Sequence, residues 1–482
     1  MFDDKKDHAH EECGIFAIHG SSDAAINTAL GLHALQHRGQ EAVGIVTMEG
    51  GQFHAHFADG LVSDNLNSQN IIQKLSGNSA IGHVRYSTSG GKNDRNYQPI
   101  YAQLSFGFMA IAHNGNLSNA QTIKRNLIKK GAIFQSTMDT EVIIHLIALS
   151  QKANITDKII DAVSQIEGAF SLVIIHEGEI IAIRDPYGVR PLSIAKLNDS
   201  YVVASETCAF DIIGAKFERD IAHGEMIVIN KDGIKSLQPF EKKPSKFCIF
   251  EYIYFARPDS FIEEKSVYEM RKNIGKELAR EAKKLQKYLD ADIVVPVPDS
   301  GVPAAIGFAA EFKIPFELGI IRNHYVGRTF IEPSDRIRHF GVKLKHNANA
   351  EMIRGKNVVL IDDSIVRGTT SKKIVQMIRD AGAAKVYMLI ASPPTVAPCF
   401  YGIDTPSKKH LLAANHTIKE MADMIGADEL QYITIDGLYQ AITNTKRDNK
   451  EPQYCDACFS EQYPIRLKDI EGEETPLLKG HY

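Results

Sequence analysis

Short apolar runs that end in polar loops recur in the second half of the chain. Residues 358–361 are all apolar, which is typical of a buried strand and too short for an ordinary helix. Asp362 and Asp363 follow, and after residues 364–370 an amphipathic helical pattern runs until a glycine stops it. A second apolar run at 386–390 completes a strand–loop–helix–strand unit, so the pattern predicts a parallel sheet.

The loop between the first strand and the helix has the chemistry of an anion-binding site. Gly368 lets backbone amides approach a ligand, and the hydroxyls of Ser364, Thr369 and Thr370 lie beside a predicted helix N-terminus. Two carboxylates would repel a bare phosphate, but they can accept hydrogen bonds from a sugar diol or hold a metal ion. An acidic turn that only caps the strand is the alternative. The whole segment, 362–370, resembles the phosphoribosylpyrophosphate (PRPP) motif of the phosphoribosyltransferases.

A second strand-to-helix turn repeats this chemistry. The apolar run 293–298 leads into Asp299, Ser300 and Gly301 and then into an alanine-rich helix, although an ordinary Pro–Gly turn has the same composition. Two such loops suit one molecule with a phosphate at one end and a pyrophosphate at the other, which describes PRPP. Between the loops, residues 322–345 carry six Lys and Arg residues against two acidic residues. We expect this segment to be a lid over a polyanion rather than an ordinary solvated loop.

Composition narrows the class of protein. A length of 482 residues favours two domains, and 44% hydrophobic with 24% charged residues is ordinary for a globular chain. A net charge of −4 argues against nucleic acid as the main partner. No apolar stretch reaches the length of a membrane-spanning helix, so we expect no membrane partner. The first residues are charged and lack the apolar core of a secretory signal, so we expect a cytoplasmic location.

The N-terminal half changes from polar to apolar at Cys13. Residues 1–12 are polar, whereas 14–18 have the pattern of a strand. A cysteine at such a position is usually a small buried hydrophobe. If residues 1–12 are removed, however, Cys13 becomes N-terminal and gains an α-amino group with a pKa of roughly 7.7–8.0, which can take the thiol proton.

Three further segments carry polar groups that have two possible uses. Arg85 could hold an α-carboxylate with its planar fork or form a surface salt bridge. Asn114 and Gly115 are typical of a hairpin turn, and an Asn amide with a neighbouring N–H can also stabilise an oxyanion. Asp139 precedes an apolar helix, so it could cap that helix or receive a substrate ammonium group.

In chain order, these segments resemble the N-terminal-nucleophile glutamine amidotransferases. The matching stretches are 13–16, 37–40, 82–88, 113–115, 139–141, 184–192 and 204–206. The resemblance implies a sandwich of two antiparallel sheets between helical layers (αββα). It also implies that Cys13 attacks the glutamine amide with its own amine as base, while Asn114 and Gly115 stabilise the oxyanion. The residues it implies for glutamine binding are Arg38, Arg85 and Asp139.

An amidotransferase half joined to a phosphoribosyltransferase half resembles the glutamine PRPP amidotransferase family. The charged, proline-bracketed segment 239–246 predicts the domain boundary. The predicted organisation, of the α/β class with an α+β N-terminal part, is a leader at 1–12, a glutaminase domain at 13–243, a phosphoribosyltransferase-type parallel-sheet domain at 244–440 and a tail at 441–482. The implied reaction is the first step of purine synthesis. It forms 5-phosphoribosylamine, pyrophosphate and glutamate from PRPP, glutamine and water, with ammonia passed between the two sites.

The resemblance also implies ligands for the second site. The residues implied for PRPP binding are Asp299, Ser300, Gly301, Arg328, Asp362, Asp363, Ser364, Arg367, Gly368, Thr369 and Thr370. One Mg²⁺ ion per subunit would be held by Ser300, Asp362 and Asp363 together with the pyrophosphate. The family further implies a homotetramer and inhibition by purine nucleotides.

Six cysteines in so long a chain do not form a disulfide framework. Cys455 and Cys458 make a Cys-x-x-Cys pair, which zinc clasps, redox sites and iron–sulfur proteins share. Together with Cys248 and Cys399 they would suit a [4Fe–4S] cluster that attaches the tail to the domain junction. They resemble the cluster ligands of a family subgroup that also has a leader peptide. We expect Cys208 to be a buried hydrophobe.

Two other functions share parts of this sequence. A sugar-isomerising amidotransferase would have the same N-terminal half, but the paired aspartates Asp362 and Asp363 argue against it. A PRPP-sensing regulator without turnover would need a helix-turn-helix or a basic surface, and the sequence shows neither. Such a regulator would also leave the glutaminase motifs unexplained.

Overall fold

Two antiparallel sheets, stacked face to face, organise the first half of the computed structural model, which describes residues 13–66, 69–86, 94–323 and 346–471. Their apolar runs alternate or are fully buried, as strands between two layers require. The strands are β1 (Gly14–His19), β2 (Ala42–Glu49), β3 (Gln52–Asp59), β4 (Ser79–Arg85), β5 (Ile100–Leu104), β6 (Gly107–Leu117), β7 (Gly168–His176), β8 (Glu179–Arg184), β9 (Ser193–Leu197), β10 (Ser200–Ala204), β11 (Lys216–Asp220), β12 (Met226–Asn230) and β13 (Gly233–Leu237).

The order of the strands places β1 near the middle of its sheet. Within the described ranges, one sheet has the order β11-β9-β10-β1-β4-β2-β3 and the other has the order β13-β12-β8-β7-β6-β5. Ile15 and Ala17 of β1 lie in the core between the sheets, with Ala112 of β6 and Val173 of β7. Because β4 and β10 flank β1, the residue that precedes β1 is surrounded on both sides.

Helices cover the outer face of each sheet. Helices near residues 24 and 208 pack on the sheet that contains β1, and helices between 120 and 163 pack on the other. The first-half helices are α1 (Ala24–Ala34), α2 (Val62–Asn65), α3 (Gln69–Ile72), α4 (Ala120–Lys129), α5 (Glu141–Leu149), α6 (Ile155–Val163) and α7 (Cys208–Asp211). This order of layers confirms the predicted αββα sandwich.

A parallel sheet with the order β16-β19-β20-β21 organises the described part of the second half. The runs at 358–361 and 386–390 lie in β19 and β20, which pair in parallel as predicted. The strands are β14 (Phe261–Ile262), β15 (Lys265–Ser266), β16 (Ile293–Pro296), β17 (Ile320–Arg322), β18 (His346–Ala348), β19 (Asn357–Asp362), β20 (Lys385–Ile390) and β21 (Glu429–Tyr432).

Helices flank this parallel sheet. They are α8 (Val267–Lys284), α9 (Val302–Phe312), α10 (Ala350–Ile353), α11 (Thr369–Asp380), α12 (Leu412–Asn415), α13 (Ile418–Ile425), α14 (Ile435–Thr443), α15 (Ala457–Ser460) and α16 (Lys468–Glu471). Over the ranges that the structure describes, no helix is long and apolar enough to cross a membrane. Helix α14 spans the position 441 at which the tail was predicted to begin, so the second domain continues at least to the end of that helix.

The tail returns to the junction between the two halves. The Cys455 N–H donates to the Phe247 carbonyl at 2.9 Å, and the Ile249 N–H donates to the Cys455 carbonyl at 3.1 Å. Cys455 of the tail therefore forms a short parallel bridge with Cys248, in the segment that connects the sandwich to α8. This contact holds the chain on both sides of the junction.

Helices α8 and α9 contact each other through two glycines. A Cβ atom on Gly275 would lie 1.9 Å from the Ala304 carbonyl oxygen, and one on Gly307 would lie 1.9 Å from the Lys272 carbonyl oxygen. Backbone atoms approach this closely only where a side chain is missing on one helix. Since α9 follows the 299–301 loop directly, this packing also fixes the position of that loop.

We predict that Gly307→Ala destabilises the second half by about 2 kcal/mol, because the added methyl meets a backbone atom and the helices must separate. The thermal unfolding midpoint should fall, and synthesis with ammonia as nitrogen donor should fall with it. Lys284→Ala, on the exposed last turn of α8, is the matched control and should change neither quantity. An unchanged midpoint for Gly307→Ala would show that the two helices can separate without cost.

Candidate active sites

Cys13 lies immediately before β1, beside the end of β4. Gly14 pairs with Val84 in the antiparallel sheet, so the adjacent residues Cys13 and Arg85 are neighbours. The Cys13 side chain is only 8% exposed, and its thiol lies 3.8 Å from the Tyr86 carbonyl oxygen. Burial raises the pKa of this thiol to about 11, against smaller lowering effects of the Tyr86 carbonyl and Arg85. The thiol therefore stays protonated at neutral pH unless a base removes its proton.

Asn114 and Gly115 lie inside β6, so the hairpin turn that the dipeptide suggests is not formed. Gly115 has a φ of +141°, and a Cβ atom there would lie 2.1 Å from the Ala169 carbonyl oxygen, so this position requires glycine. Asn114 is fully buried, with its Nδ2 3.4 Å from Ser205 Oγ. The same hydroxyl accepts a hydrogen bond from the Ile15 N–H at 3.1 Å. The amide of Asn114 is thus held beside the strand that begins after Cys13.

Asp139 places a negative charge near the same point. Its Oδ2 accepts a hydrogen bond from the Leu117 N–H at 2.9 Å, and its Oδ1 lies 3.8 Å from Nδ1 of His113. Burial acts to raise the pKa of Asp139, but His113 and hydrogen bonds from Leu117 and Thr140 outweigh it, so the pKa is lowered. The carboxylate remains ionised at neutral pH, and its charge acts on the Cys13 thiol. It is well placed to receive an ammonium group.

Arg38 contacts the main chain of Cys13 and two buried carboxylates. Its guanidinium is 1% exposed and donates hydrogen bonds to Glu251 at 2.7 and 3.1 Å and to Glu206. Its Nε lies 3.4 Å from the carbonyl oxygen of Cys13. A guanidinium between two buried carboxylates does not fit the prediction that Arg38 binds glutamine directly. These contacts favour a positioning role.

The two predicted loops of the second half meet at the carboxyl ends of β16 and β19, where ligands bind in open parallel sheets. Ser300 Oγ donates to one carboxylate oxygen of Asp363 at 2.7 Å, and Ser364 Oγ donates to the other at 2.7 Å. A Cβ atom on Gly301 would lie 2.4 Å from the Ile361 carbonyl oxygen, so the first loop needs glycine to approach the second strand. The structure therefore joins both loops into one site.

The second loop ends at a helix N-terminus, as an anion site requires. Gly368 has a φ of +80° and precedes α11, whose first residues are Thr369 and Thr370. Arg367 is half-buried beside them. The helix N-terminus, Thr369, Thr370 and Arg367 are thus consecutive in the loop where the sequence predicts a phosphate.

The predicted lid is described only at its start. Arg322 forms an ion pair with Asp299 at the mouth of the first loop. Arg328 lies outside the described residues, as does most of the segment up to 345. The closure of this segment over PRPP stays a prediction.

The carboxylates of Asp362 and Asp363 suit a magnesium ion only with help from a substrate. Both are buried, and Asp363 is already oriented by two hydroxyls. Among the residues that the structure describes, no group of three or more His, Cys, Asp or Glu side chains surrounds a single point. Mg²⁺ is usually bound by one or two carboxylates together with waters and substrate phosphates. The oxygen donors at the loop fit such an ion.

The four cysteines predicted as cluster ligands converge at the junction. Cys248 and Cys455 pair in the parallel bridge, and the Cys458 carbonyl accepts a hydrogen bond from the Val396 N–H at 2.9 Å, three residues before Cys399 in the chain. All four are free thiols. Burial raises the pKa values of Cys455 and Cys458 well above the usual range, and the charges of Cys248 and Cys399 raise them further. Thiolates crowded in this way need a positive partner to ionise.

Several buried charges at the junction were not foreseen from the sequence. Glu206, Glu251 and Arg190 are fully buried, and Arg271 is 4% exposed. The stretch 204–206 was recognised only as a family resemblance, without a role. For Glu251 the one sequence signal is an acidic residue inside an otherwise apolar and aromatic stretch.

Comparisons with known families divide the chain as the fold does. Residues 83–211 match the glutamine amidotransferase domain family, and residues 267–395 match the phosphoribosyl transferase domain family. The first match contains Arg85, Asn114 and Asp139, and the second contains both loops of the parallel sheet.

Relatives that match over nearly the full length of this chain cover both domains. An amidophosphoribosyltransferase of Rhizobium etli is 54% identical over 473 residues, covering 97% of this chain and 94% of the relative. One of Bacillus subtilis is 46% identical over 459 residues, covering 95% of both. The solved structure of the B. subtilis glutamine PRPP amidotransferase, complexed with ADP and GMP, matches with a TM-score of 0.88 over 94% of this chain and 98% of that chain. The protein is a glutamine-dependent pentosyltransferase. It belongs to the amidophosphoribosyltransferase family of purine biosynthesis, which confirms the predicted family and sets aside both alternatives.

We predict that Asp139→Asn raises the KM for glutamine by about 10- to 100-fold, because a charge-assisted hydrogen bond to the substrate ammonium is lost. Steady-state kinetics with varied glutamine measure this, and synthesis from ammonia should change little. Asp161→Asn is the matched control, since that carboxylate binds the Ser150 hydroxyl in the outer helical layer. An unchanged glutamine KM would remove Asp139 from the binding site.

Proposed function

We propose that this chain performs the amidophosphoribosyltransferase reaction with Cys13 as its glutaminase nucleophile and the joined loops of the parallel sheet as its PRPP site. The convergence of Cys13, Arg85, Asn114 and Asp139 around the start of β1 carries the proposal. These residues are far apart in the sequence, and each supplies a different function that amide hydrolysis needs. Arg85 and Asp139 would hold the α-carboxylate and α-ammonium of glutamine.

The first reaction follows from this geometry. Once residues 1–12 are removed, the new α-amino group takes the proton of the Cys13 thiol, and the thiolate attacks the side-chain amide carbon of glutamine. The Asn114 amide and the Gly115 N–H stabilise the negative oxygen. The protonated amine then donates its proton to the leaving nitrogen, which departs as ammonia. Water hydrolyses the remaining thioester to glutamate and restores Cys13.

The second reaction uses the ammonia. Residues 364–370 would bind the 5-phosphate of PRPP, Asp362 and Asp363 the ribose hydroxyls, and residues 299–301 the pyrophosphate. Ammonia attacks the anomeric carbon, and the bond to pyrophosphate breaks. A magnesium ion held by Ser300, Asp362 and Asp363 would offset charge on the leaving group. The B. subtilis relative was solved in complex with ADP and GMP, which supports the prediction that purine nucleotides also bind this chain.

We predict that Cys13→Ala lowers glutamine-dependent synthesis by about 1000-fold or more and leaves synthesis from ammonia within about threefold of wild type. The reason is that the second site does not use the thiol. Asp161→Asn, in the outer helical layer of the sandwich, is the control and should retain both activities. The mass of the active wild-type protein should correspond to a chain that begins at Cys13. Loss of both activities in folded Cys13→Ala, or full activity in a chain that retains residue 1, would contradict this proposal.

A [4Fe–4S] cluster is our proposal for the four cysteines at the junction. Each thiolate of such a cluster binds a different iron atom, so its ligands need not surround one point. Convergence of four free thiols without a disulfide supports this assignment. The homotetramer and the cytoplasmic location stay predictions.

We predict that anaerobically purified protein contains about four iron and four sulfide per chain, and that Cys455→Ser loses both and unfolds at a lower temperature. Metal and sulfide analysis, visible absorbance and thermal unfolding measure this without reference to activity. Cys208→Ser is the control and should keep its iron. Zinc without sulfide in the wild-type protein would overturn the assignment.

A further inference from the structure

We propose that Glu206 is a positioning residue of the glutaminase reaction, which fixes the main chain of Cys13 through Arg38 and ties it to residues 257–260 of the second half. The inference rests on the proposed role of Cys13. It concerns a buried carboxylate that contacts neither of the proposed substrate sites.

On the glutaminase side, Glu206 holds two residues that follow α1. Its Oε1 accepts hydrogen bonds from His37 Nε2 at 2.7 Å and from Arg38. Arg38 in turn lies 3.4 Å from the Cys13 carbonyl oxygen through its Nε. The residue before Glu206 reinforces this position, since the N–H of Ser205 donates to the Ile15 carbonyl at 3.1 Å. The carboxylate is therefore attached to β1 by its neighbour and to the nucleophile by Arg38.

On the other side, the same carboxylate holds the second half. Its Oε2 accepts hydrogen bonds from the Arg257 N–H at 2.8 Å and from Ser260 Oγ at 2.7 Å. Residues 257–260 follow a π-helical turn, Glu251–Phe255, and Glu251 binds the opposite side of Arg38 at 2.7 Å. Arg38 is thus held between one carboxylate from each half of the chain.

The π-helical turn is itself fixed to the parallel-sheet domain. Arg271 of α8 donates hydrogen bonds to three carbonyls of the turn at 2.6–3.0 Å, those of Tyr252, Tyr254 and Ala256. Hydrogen bonds therefore connect α8 of the parallel-sheet domain, through the π-helical turn, Glu251 and Arg38, to the carbonyl of the nucleophile.

The position of Glu206 requires a side chain whose two terminal atoms both accept hydrogen bonds. Oε1 of Glu206 accepts from His37 and Arg38, and Oε2 accepts from Arg257, Ser260 and, at 3.9 Å, the thiol of Cys208. An amide of the same shape has one acceptor oxygen and one NH₂ donor. In Glu206→Gln the NH₂ group must face one of the two sets of donors, so the side chain can hold the nucleophile or the second half, but not both.

The test is steady-state kinetics of Glu206→Gln with glutamine and, separately, with ammonia. We expect the kcat with glutamine to fall by on the order of 10- to 100-fold, because a small misplacement of a reacting group is costly. The KM for glutamine should stay within about threefold, because Glu206 does not touch the substrate, and ammonia-dependent synthesis should stay within about twofold.

The matched control is Glu225→Gln in the same half of the chain. Glu225 is also buried and accepts hydrogen bonds from Arg219 at 2.7 and 2.8 Å, from the Ser236 hydroxyl at 2.7 Å and from the Ala222 N–H at 2.8 Å. Those contacts lie around β12, away from β1. This variant should show a comparable loss of thermal stability and an unchanged kcat with glutamine.

Ser260→Ala provides a second variant that removes one donor and no charge. It should fold as wild type and lower the kcat with glutamine by about three- to tenfold with an unchanged KM. Equal kinetics for Glu206→Gln and Glu225→Gln, or a parallel loss of glutamine- and ammonia-dependent activity, would show that Glu206 is only structural and would overturn the inference. The assignment of Cys13 would survive that result, because it is decided by Cys13→Ala alone.

Discussion

The burial of Arg38 between two carboxylates is the constraint on which the arrangement of the two halves depends. A buried guanidinium without a counter-charge costs several kcal/mol, and removing one partner of a buried ion pair costs about 3–5 kcal/mol. Glu206 comes from the sandwich, whereas Glu251 comes from the turn that enters the parallel-sheet domain. The sandwich therefore cannot separate from the second domain without leaving a buried charge unpaired or exposing it to water. The carbonyl oxygen of the nucleophile, Cys13, lies 3.4 Å from Nε of the same arginine.

Both candidate sites place their reactive groups at the ends of strands; β1 and β19 lie inside their sheets, whereas β16 lies at the edge of its sheet as described. Cys13 precedes β1, which is flanked on both sides, and the PRPP loops follow β16 and β19, which pair in register. A strand inside a sheet is fixed by hydrogen bonds along its length, so a group at its end is rigid while its far side remains open to a ligand. Glycines complete both sites: Gly115 and Gly301 each lie where a Cβ atom would meet a carbonyl oxygen.

Local sequence patterns correctly predicted those elements whose structure depends on neighbouring residues. Strand β19, helix α11 and the turn at Gly368 follow from apolar periodicity and glycine placement within a dozen residues, and the structure shows all three. Arg38 could not be interpreted in this way, because its partners lie 168 and 213 residues away in the sequence. The hairpin turn suggested by Asn114 and Gly115 is absent for a related reason. Their dipeptide favours a hairpin locally, but pairing with β7 keeps them inside a strand.

The segment that carries Cys399 and the proposed oxyanion site are also in contact. Asn116 Nδ2 donates a hydrogen bond to the Phe400 carbonyl at 2.9 Å, one residue after Cys399. A Cβ atom on Gly402 would lie only 3.0 Å from the Gly115 Cα, so the cysteine-bearing segment packs against the glycine of the oxyanion pair itself. Protein interiors are dense enough to transmit such displacements. The segment 399–402 and the backbone at Gly115 therefore share one packing contact, so a displacement of that segment would reach the proposed oxyanion site as well as the junction.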